Sequence, residues 1–165
     1  MTFLAVHVWI SLVGIASGSV VVGGLLKGRR LDGWTVIFLT TTAATSATGF
    51  LVPADRLLPS HVVGLVSLIV LAIAVAARYA RHLAGPWRPA YVISAVIALY
   101  LNVFVGVVQA FLKVSALAAA APTHSERPFL ATQLVVLFVF AAIASAAVSR
   151  FHSEPTHPPS VATTL

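Results

Sequence analysis

An all-α, polytopic membrane bundle of five transmembrane helices is the fold that this 165-residue sequence predicts. Three observations predict it. Hydrophobic residues make up 59% of the chain and charged residues 8%, whereas about a quarter of the residues in a soluble domain carry charge and wet its surface. The apolar residues gather into five long stretches without a single Lys, Arg, Asp or Glu, and a bilayer core of about 30 Å needs about 20 such residues per helix. The basic residues stand beside those stretches rather than inside them, which is the placement that orients helices in a membrane. The same composition excludes a soluble globular domain and a disordered chain. No basic run of nucleic-acid type accompanies the net charge of +6, and the absence of cysteine excludes disulfides, thiolate metal sites and a cysteine nucleophile.

The first span, Phe3–Leu26, has no basic residue before it and Lys27, Arg29 and Arg30 directly after it. It is too long for the apolar core of a signal peptide, about 7–15 residues, and reads as an uncleaved helix. A short turn, Lys27–Gly33, leads to the second span, Trp34–Val52, which is rich in threonine. Pro53–Leu57 separates it from the third, Leu58–Ala77, and Arg78–Pro89 separates that from the fourth, Ala90–Leu112. The loop Lys113–Pro128 is longer, and the fifth span is Phe129–Ala147. Residues 1–150 thus form the membrane domain. Residues 151–165, with Pro155, Pro158 and Pro159, hold too little apolar surface to fold and are expected to be a disordered cytoplasmic tail. Helix is the only suitable element, because backbone groups in lipid must satisfy one another within the segment, and the runs are continuous rather than alternating as in a barrel.

Lys27, Arg29, Arg30, Arg78, Arg81, Arg88 and Arg150 fall on one side of this threading, and Arg56, Lys113 and Arg127 on the other. The positive-inside rule then places the N-terminus outside and the C-terminus in the cytoplasm. Trp34, Tyr79, Trp87 and Tyr91 fall at the same cytoplasmic boundary, as an aromatic belt does.

Polar residues inside lipid cost free energy, so their positions carry the functional signal. His7, Ser11, Gly14 and Gly18 share one stripe of the first helix; Thr41, Thr45 and Thr48 share one on the second; Ala95, Ala98, Asn102, Gly106 and Gln109 share one on the fourth. The small and hydroxylated members fit close helix packing. At about 1.5 Å per residue, His7, Thr48, His61, Gln109 and Gln133 fall in one layer about 5–6 Å below the outer boundary, and Asn102 lies about 10 Å deeper. Three readings of that layer stand side by side. His7 and His61 are interfacial rings that cap a packing network; or they are the axial ligands of one b-type haem held between helices one and three; or the layer is a pocket in which His7, His61, Asn102, Gln109 and Gln133 bind a quinone-like head. His124 with Glu126 is read as solvated loop rather than metal site. No carboxylate lies in any span, and no hydrolase elbow, P-loop or zinc-protease motif occurs, which argues against an enzyme.

With Thr45-Ser46-Ala47-Thr48-Gly49-Phe50, Pro59-Ser60-His61-Val62-Val63-Gly64-Leu65 and Tyr100-Leu101-Asn102-Val103-Phe104 through Gln109-Ala110-Phe111 in view, the chain resembles a group of small bacterial five-helix integral-membrane proteins. The resemblance covers nearly everything but the tail, implies a bacterial inner membrane, and implies no particular activity. In architecture, through helix-borne histidines, it is also similar to haem membrane proteins of the cytochrome b561 type. Those proteins commonly hold two haems with four ligands, whereas only His7 and His61 are placed for one here. The expected function is binding of a haem or quinone-like ligand in the outer leaflet, with electron transfer as its use. The alternatives are an accessory subunit beside a membrane-protein partner or in a homo-oligomer, and a small-molecule transporter.

Overall fold

The computed structural model describes residues 3–51, 59–123 and 125–151. Of the tail expected to be disordered, Phe151 is described and buried, while the remainder, Arg56, His124 and the turn Pro53–Leu57 lie outside the described residues. Among those described, all regular structure is helical: α1 Phe3–Leu26, α2 Asp32–Gly49, α3 Pro59–Val75 running into one π-helical turn at Ala76–Ala80, α4 Trp87–Lys113, α5 Ser115–Ala120 and α6 Arg127–Arg150. Phe3–Leu26, His61–Ala80, Trp87–Lys113 and Arg127–Arg150 are each long and apolar enough to cross a membrane. Four membrane-capable helices among the described residues fit a multi-pass membrane protein. α2 falls short of the same standard because its threonines dilute its apolar content.

Local chemistry sets the helix ends. Gly28 takes φ +68°, and the Gly28 N–H donates to the Leu25 carbonyl at 3.1 Å while the Arg29 N–H donates to that of Gly24 at 2.9 Å. This paired closure needs a left-handed residue, which glycine supplies without strain. Pro59, Pro89 and Pro128 all fall in first turns, where a missing N–H costs nothing. α1 has the expected bounds, but α4 starts at Trp87 rather than Ala90 and α6 covers Arg127–Arg150 rather than Phe129–Ala147, whereas α2 runs from Asp32 and ends at Gly49, short of Val52. The loop after α4 contains α5, which its alanines favour.

α1 packs on α2 and α4, and α3 packs on the same two, so α1 and α3 stand at opposite corners of a four-helix square. α6 lies outside it against α4 and α1, with Leu134, Val135 and Phe138 facing outward. The main buried cluster occupies one end, while Phe111 and Ala121 are buried apart from it at the other. Val21, Val22, Leu25, Phe38, Leu71, Ala74, Tyr91, Val92, Ala95 and Leu99 belong to the half where α1 turns into α2. Gly18 makes this closeness possible: a Cβ there would lie 2.7 Å from the Phe38 ring and 2.8 Å from Leu99 Cδ1. The Gly28 approach to the Arg150 carbonyl and the Arg78–Asp32 ion pair gather the basic turns and the end of α6 at this same end. In the other half the four helices enclose a chamber.

Candidate functional site

The chamber has a volume of about 540 Å³ and is walled by α1, α2, α3 and α4. α1 contributes His7, Ser11 and apolar Leu4, Leu12 and Ile15. α2 contributes Thr45, Ser46 and Gly49; α3 contributes His61, Gly64 and Ser67; α4 contributes Asn102, Gly106, Gln109 and, at its last residue, Lys113. The wall is mainly apolar, with a few polar groups converging from all four helices, which is the usual make-up of a small-molecule site.

α2 fixes most of those groups. His7 Nδ1 lies 2.8 Å from Thr48 Oγ1, and the Thr48 hydroxyl donates back to the Ala44 carbonyl at 2.7 Å. A hydroxyl has one proton to give, so with that proton on Ala44 the oxygen accepts from Nδ1–H. The neutral ring then carries its lone pair on Nε2, where it can accept a hydrogen bond or ligate a metal. One turn deeper the Ser11 hydroxyl donates to the His7 carbonyl at 2.8 Å and lies 3.4 Å from Thr45 Oγ1. Deeper again Asn102 Nδ2 donates to Thr42 Oγ1 at 3.1 Å, against Gly14, where a Cβ would sit 3.4 Å from Asn102 Nδ2. On the α3 side Ser46 donates to Ser67 at 3.0 Å, and the His61 ring stacks on Phe50 with centroids 5.6 Å apart and planes 28° apart.

The structure thus brings His7, His61, Asn102 and Gln109 to one chamber, with the two imidazoles on helices at opposite corners and α2 forming a wall between those corners. Gln133 is not among the lining residues. It sits in the α4–α6 contact, where Nε2 donates to the Phe104 carbonyl at 3.2 Å and Oε1 is buried without a hydrogen-bond partner. Height along the helix axis put Gln133 with the others, but its azimuth turns it to the far side of α4. Lys113 and Ser67 are chamber residues that axial height did not single out. Ser67 follows His61 and Gly64 at steps of three, a helical-face signal that could have found it.

No family model, curated protein or solved structure matches this chain. The likeness to cytochrome b561-type proteins therefore rests on the histidines alone. Among the described residues no three His, Cys, Asp or Glu side chains gather as a metal cluster would need.

A second polar group lies at the opposite end of the core. Arg78, on the π-helical turn, is buried and pairs with Asp32, whose side chain is 80% exposed. Its guanidinium sits 5.1 Å from the Tyr91 ring centroid and 5.8 Å from that of Tyr79, and Tyr91 Oη lies 3.4 Å from Thr35 Oγ1. Phe38, Leu99 and Gly18 separate this group from the chamber.

Proposed function

We propose that the protein holds one small amphipathic ligand, a quinone-like molecule, in the chamber between α1, α2, α3 and α4, for use in electron transfer. The observation that carries this reading is a chamber of about 540 Å³, within the range of roughly 300–1,000 Å³ usual for small-molecule sites, with acceptor and donor groups on one apolar wall. His7 Nε2 accepts from a ring hydroxyl, the carboxamides of Asn102 and Gln109 donate to ring oxygens, and the apolar faces of Leu4, Leu12 and Ile15 take a hydrocarbon tail. A b-type haem is the second reading. His7, through its Nε2 lone pair, and His61 from the opposite corner are the residues that would hold its iron, which would supply one-electron chemistry.

The test is titration of a short-chain quinol analogue into nanodisc-reconstituted protein. Loss of one hydrogen bond of about 1.5 kcal/mol predicts that His7→Ala weakens binding about tenfold, while Gln133→Ala leaves it unchanged. Equal affinity of His7→Ala and the parent protein refutes the quinone reading. Haem predicts a Soret band in purified protein that His61→Ala removes, and colourless protein from haem-supplied cells refutes it.

We further propose that α2 is a fifth span and that the protein sits in a bacterial inner membrane with its N-terminus periplasmic. Support for the fifth span comes from position and length. α2 lies between α1 and α3 in the square, its 18 residues extend about 27 Å, and its hydroxyls bond within the bundle. Support for orientation comes from the clustering of Lys27, Arg29, Arg30, Arg78, Arg81, Arg88 and Arg150 at one end. Because the chain has no cysteine, single cysteines map it: Arg30→Cys reacts with an impermeant maleimide only after permeabilisation of the inner membrane, and Ser125→Cys reacts before it. The reverse pattern refutes the orientation.

A further inference from the structure

Besides the ligand chamber, the structure holds a smaller recess of about 290 Å³ at the basic end, lined by Val20, Gly23, Gly24, Lys27, Arg29 and Leu31. Its upper part is cationic. Lys27 and Arg29 are both exposed, and the ion pair found among the described residues is made elsewhere, by Arg78 and Asp32. Asp32, the acidic side chain nearest in sequence, is thus engaged with α3. The lower part is an apolar groove down the lipid-facing side of α1. Gly23 opens it, since a Cβ at that position would meet nothing within 4 Å. Gly24 floors it differently, by letting Leu31 dock, with a would-be Cβ only 2.7 Å from Leu31 Cδ1. Leu31 in turn precedes the first turn of α2 and supplies no side-chain cap to it.

Two cations above an open apolar groove, at the depth where headgroups lie, match one ligand chemistry: a phosphate monoanion carrying a hydrocarbon chain. We propose that this recess is a binding site for the phosphate of an anionic phospholipid, with Lys27 and Arg29 on the phosphate and an acyl chain in the groove along Gly23 and Val20. The phosphate lies flat against the α1–α2 turn, and so an annular lipid becomes a bound one. The site follows from the membrane-spanning character of α1 alone and does not depend on what fills the chamber. Surface-proximal basic residues attract anionic lipid by an amount corresponding to about fivefold in affinity each.

The experiment is native mass spectrometry of the full chain released from micelles containing phosphatidylglycerol or phosphatidylcholine, counting retained lipids. The expected result is one phosphatidylglycerol retained, with little phosphatidylcholine. Lys27→Ala with Arg29→Ala should lower its retention about 25-fold by the same measure, and Gly23→Leu, which fills the groove while keeping both cations, should lower it too. Arg30→Ala is the control, because it removes the same charge from the same turn but lies outside the recess. Equal loss with Arg30→Ala and Arg29→Ala overturns the site in favour of general surface attraction, and unchanged retention in the double variant overturns it outright. Inorganic phosphate separates the two sources of the anion. If it displaces the lipid at millimolar concentration while Gly23→Leu has no effect, the recess is a free-phosphate site and the lipid assignment fails. Far-UV circular dichroism of each variant distinguishes loss of the site from loss of fold.

Discussion

Two glycines on α1, five residues apart, make opposite predictions under the same substitution. At Gly18 a Cβ would stand 2.7 and 2.8 Å from two carbons of the Phe38 ring and 2.8 Å from Leu99 Cδ1, whereas carbons in contact prefer about 3.5–4.0 Å. Phe38 is fully buried and Leu99 nearly so, so neither can swing into open space. The cost of forcing a methyl into such a core is about 1–3 kcal/mol. At Gly23 a methyl meets nothing within 4 Å, and alanine in a helix interior is favoured over glycine by about 0.5–1 kcal/mol. That propensity gain is common to both sites, so the gap between Gly23→Ala and Gly18→Ala isolates the overpacking: about 1–3 kcal/mol, or about 5- to 150-fold in the unfolding constant. Reversible unfolding in mixed micelles, followed by the fluorescence of Trp9, Trp34 and Trp87, measures it. The reasoning is refuted if the two variants unfold together, or if Gly23→Ala is the weaker one.

Replacing Asn102 by Leu removes the hydrogen bond to Thr42 at 3.1 Å and should cost about 0.6 kcal/mol and at most about 1.7, the range of interhelical bonds in membranes, by the same unfolding assay. Gln133→Met should be neutral or stabilising by up to about 1 kcal/mol, because it replaces a buried Oε1 that has no partner with an apolar group of similar size; a loss above about 2 kcal/mol would contradict that. Arg78→Ala should destabilise more than Asp32→Ala, since Asp32 is mostly exposed and its pair is worth at most about 1 kcal/mol, while Arg78 also loses its stacking on Tyr91. Glu126 should give a pH dependence of definite sign. Slight desolvation pushes its carboxyl up, but hydrogen bonds from the Thr123 hydroxyl and N–H and from the Ser125 N–H outweigh this and hold it below its ordinary value. Order in the loop before α6 should therefore be full above the ordinary carboxylate range and lost as pH falls through the lowered value. Exchange of the Thr123 and Ser125 amide protons reads it, and Glu126→Gln should flatten the dependence.

The helical class and the existence of the five long helices were legible from composition and apolar run length, because a chain in lipid has no alternative to satisfying its own backbone, whereas α5 fell inside a stretch read as loop. Ends were less legible. Trp87 and Arg127 belong to helices although their polarity marked them as loop, since amphipathic ends extend a helix past the apolar core. The layer of polar groups was legible only in one dimension. Run position gives height along the axis, and of the residues grouped by it His7, His61 and Gln109 line one chamber, with Thr48 bonded to His7. Gln133 shares their height and not their chamber, because azimuth depends on how α6 docks against α4, and its weak amphipathic signal holds no record of that. Arg78 was counted among loop cations, yet the π-helical turn carries it back beneath Tyr91, and nothing in the local residue pattern announces a five-residue turn.

The threonines of α2 explain why the core and the chamber occupy different halves of the same bundle. A helix bearing Thr35, Thr41, Thr42, Thr45, Ser46 and Thr48 is poorly suited to face acyl chains on every side, and the fold surrounds it with α1 and α3. Its hydroxyls then have two kinds of partner. Thr35, Thr41 and Thr48 donate to their own helix at the fourth carbonyl back, which lowers the cost of burial without requiring a neighbour. Having spent its proton, Thr48 can serve a neighbouring helix only as an acceptor, and it receives His7 in that role, while Thr42 accepts from Asn102. Between these levels α2 presents the buried Phe38 ring to Gly18, beside Leu99. The polar groups of α2 are thereby divided by a dry apolar layer into a set facing the chamber and a set at Thr35, Tyr91, Arg78 and Asp32. Under the proposed function, a ligand in the chamber would be reached from the His7 end, and an electron or proton passing to the basic end would have to cross the Phe38 layer.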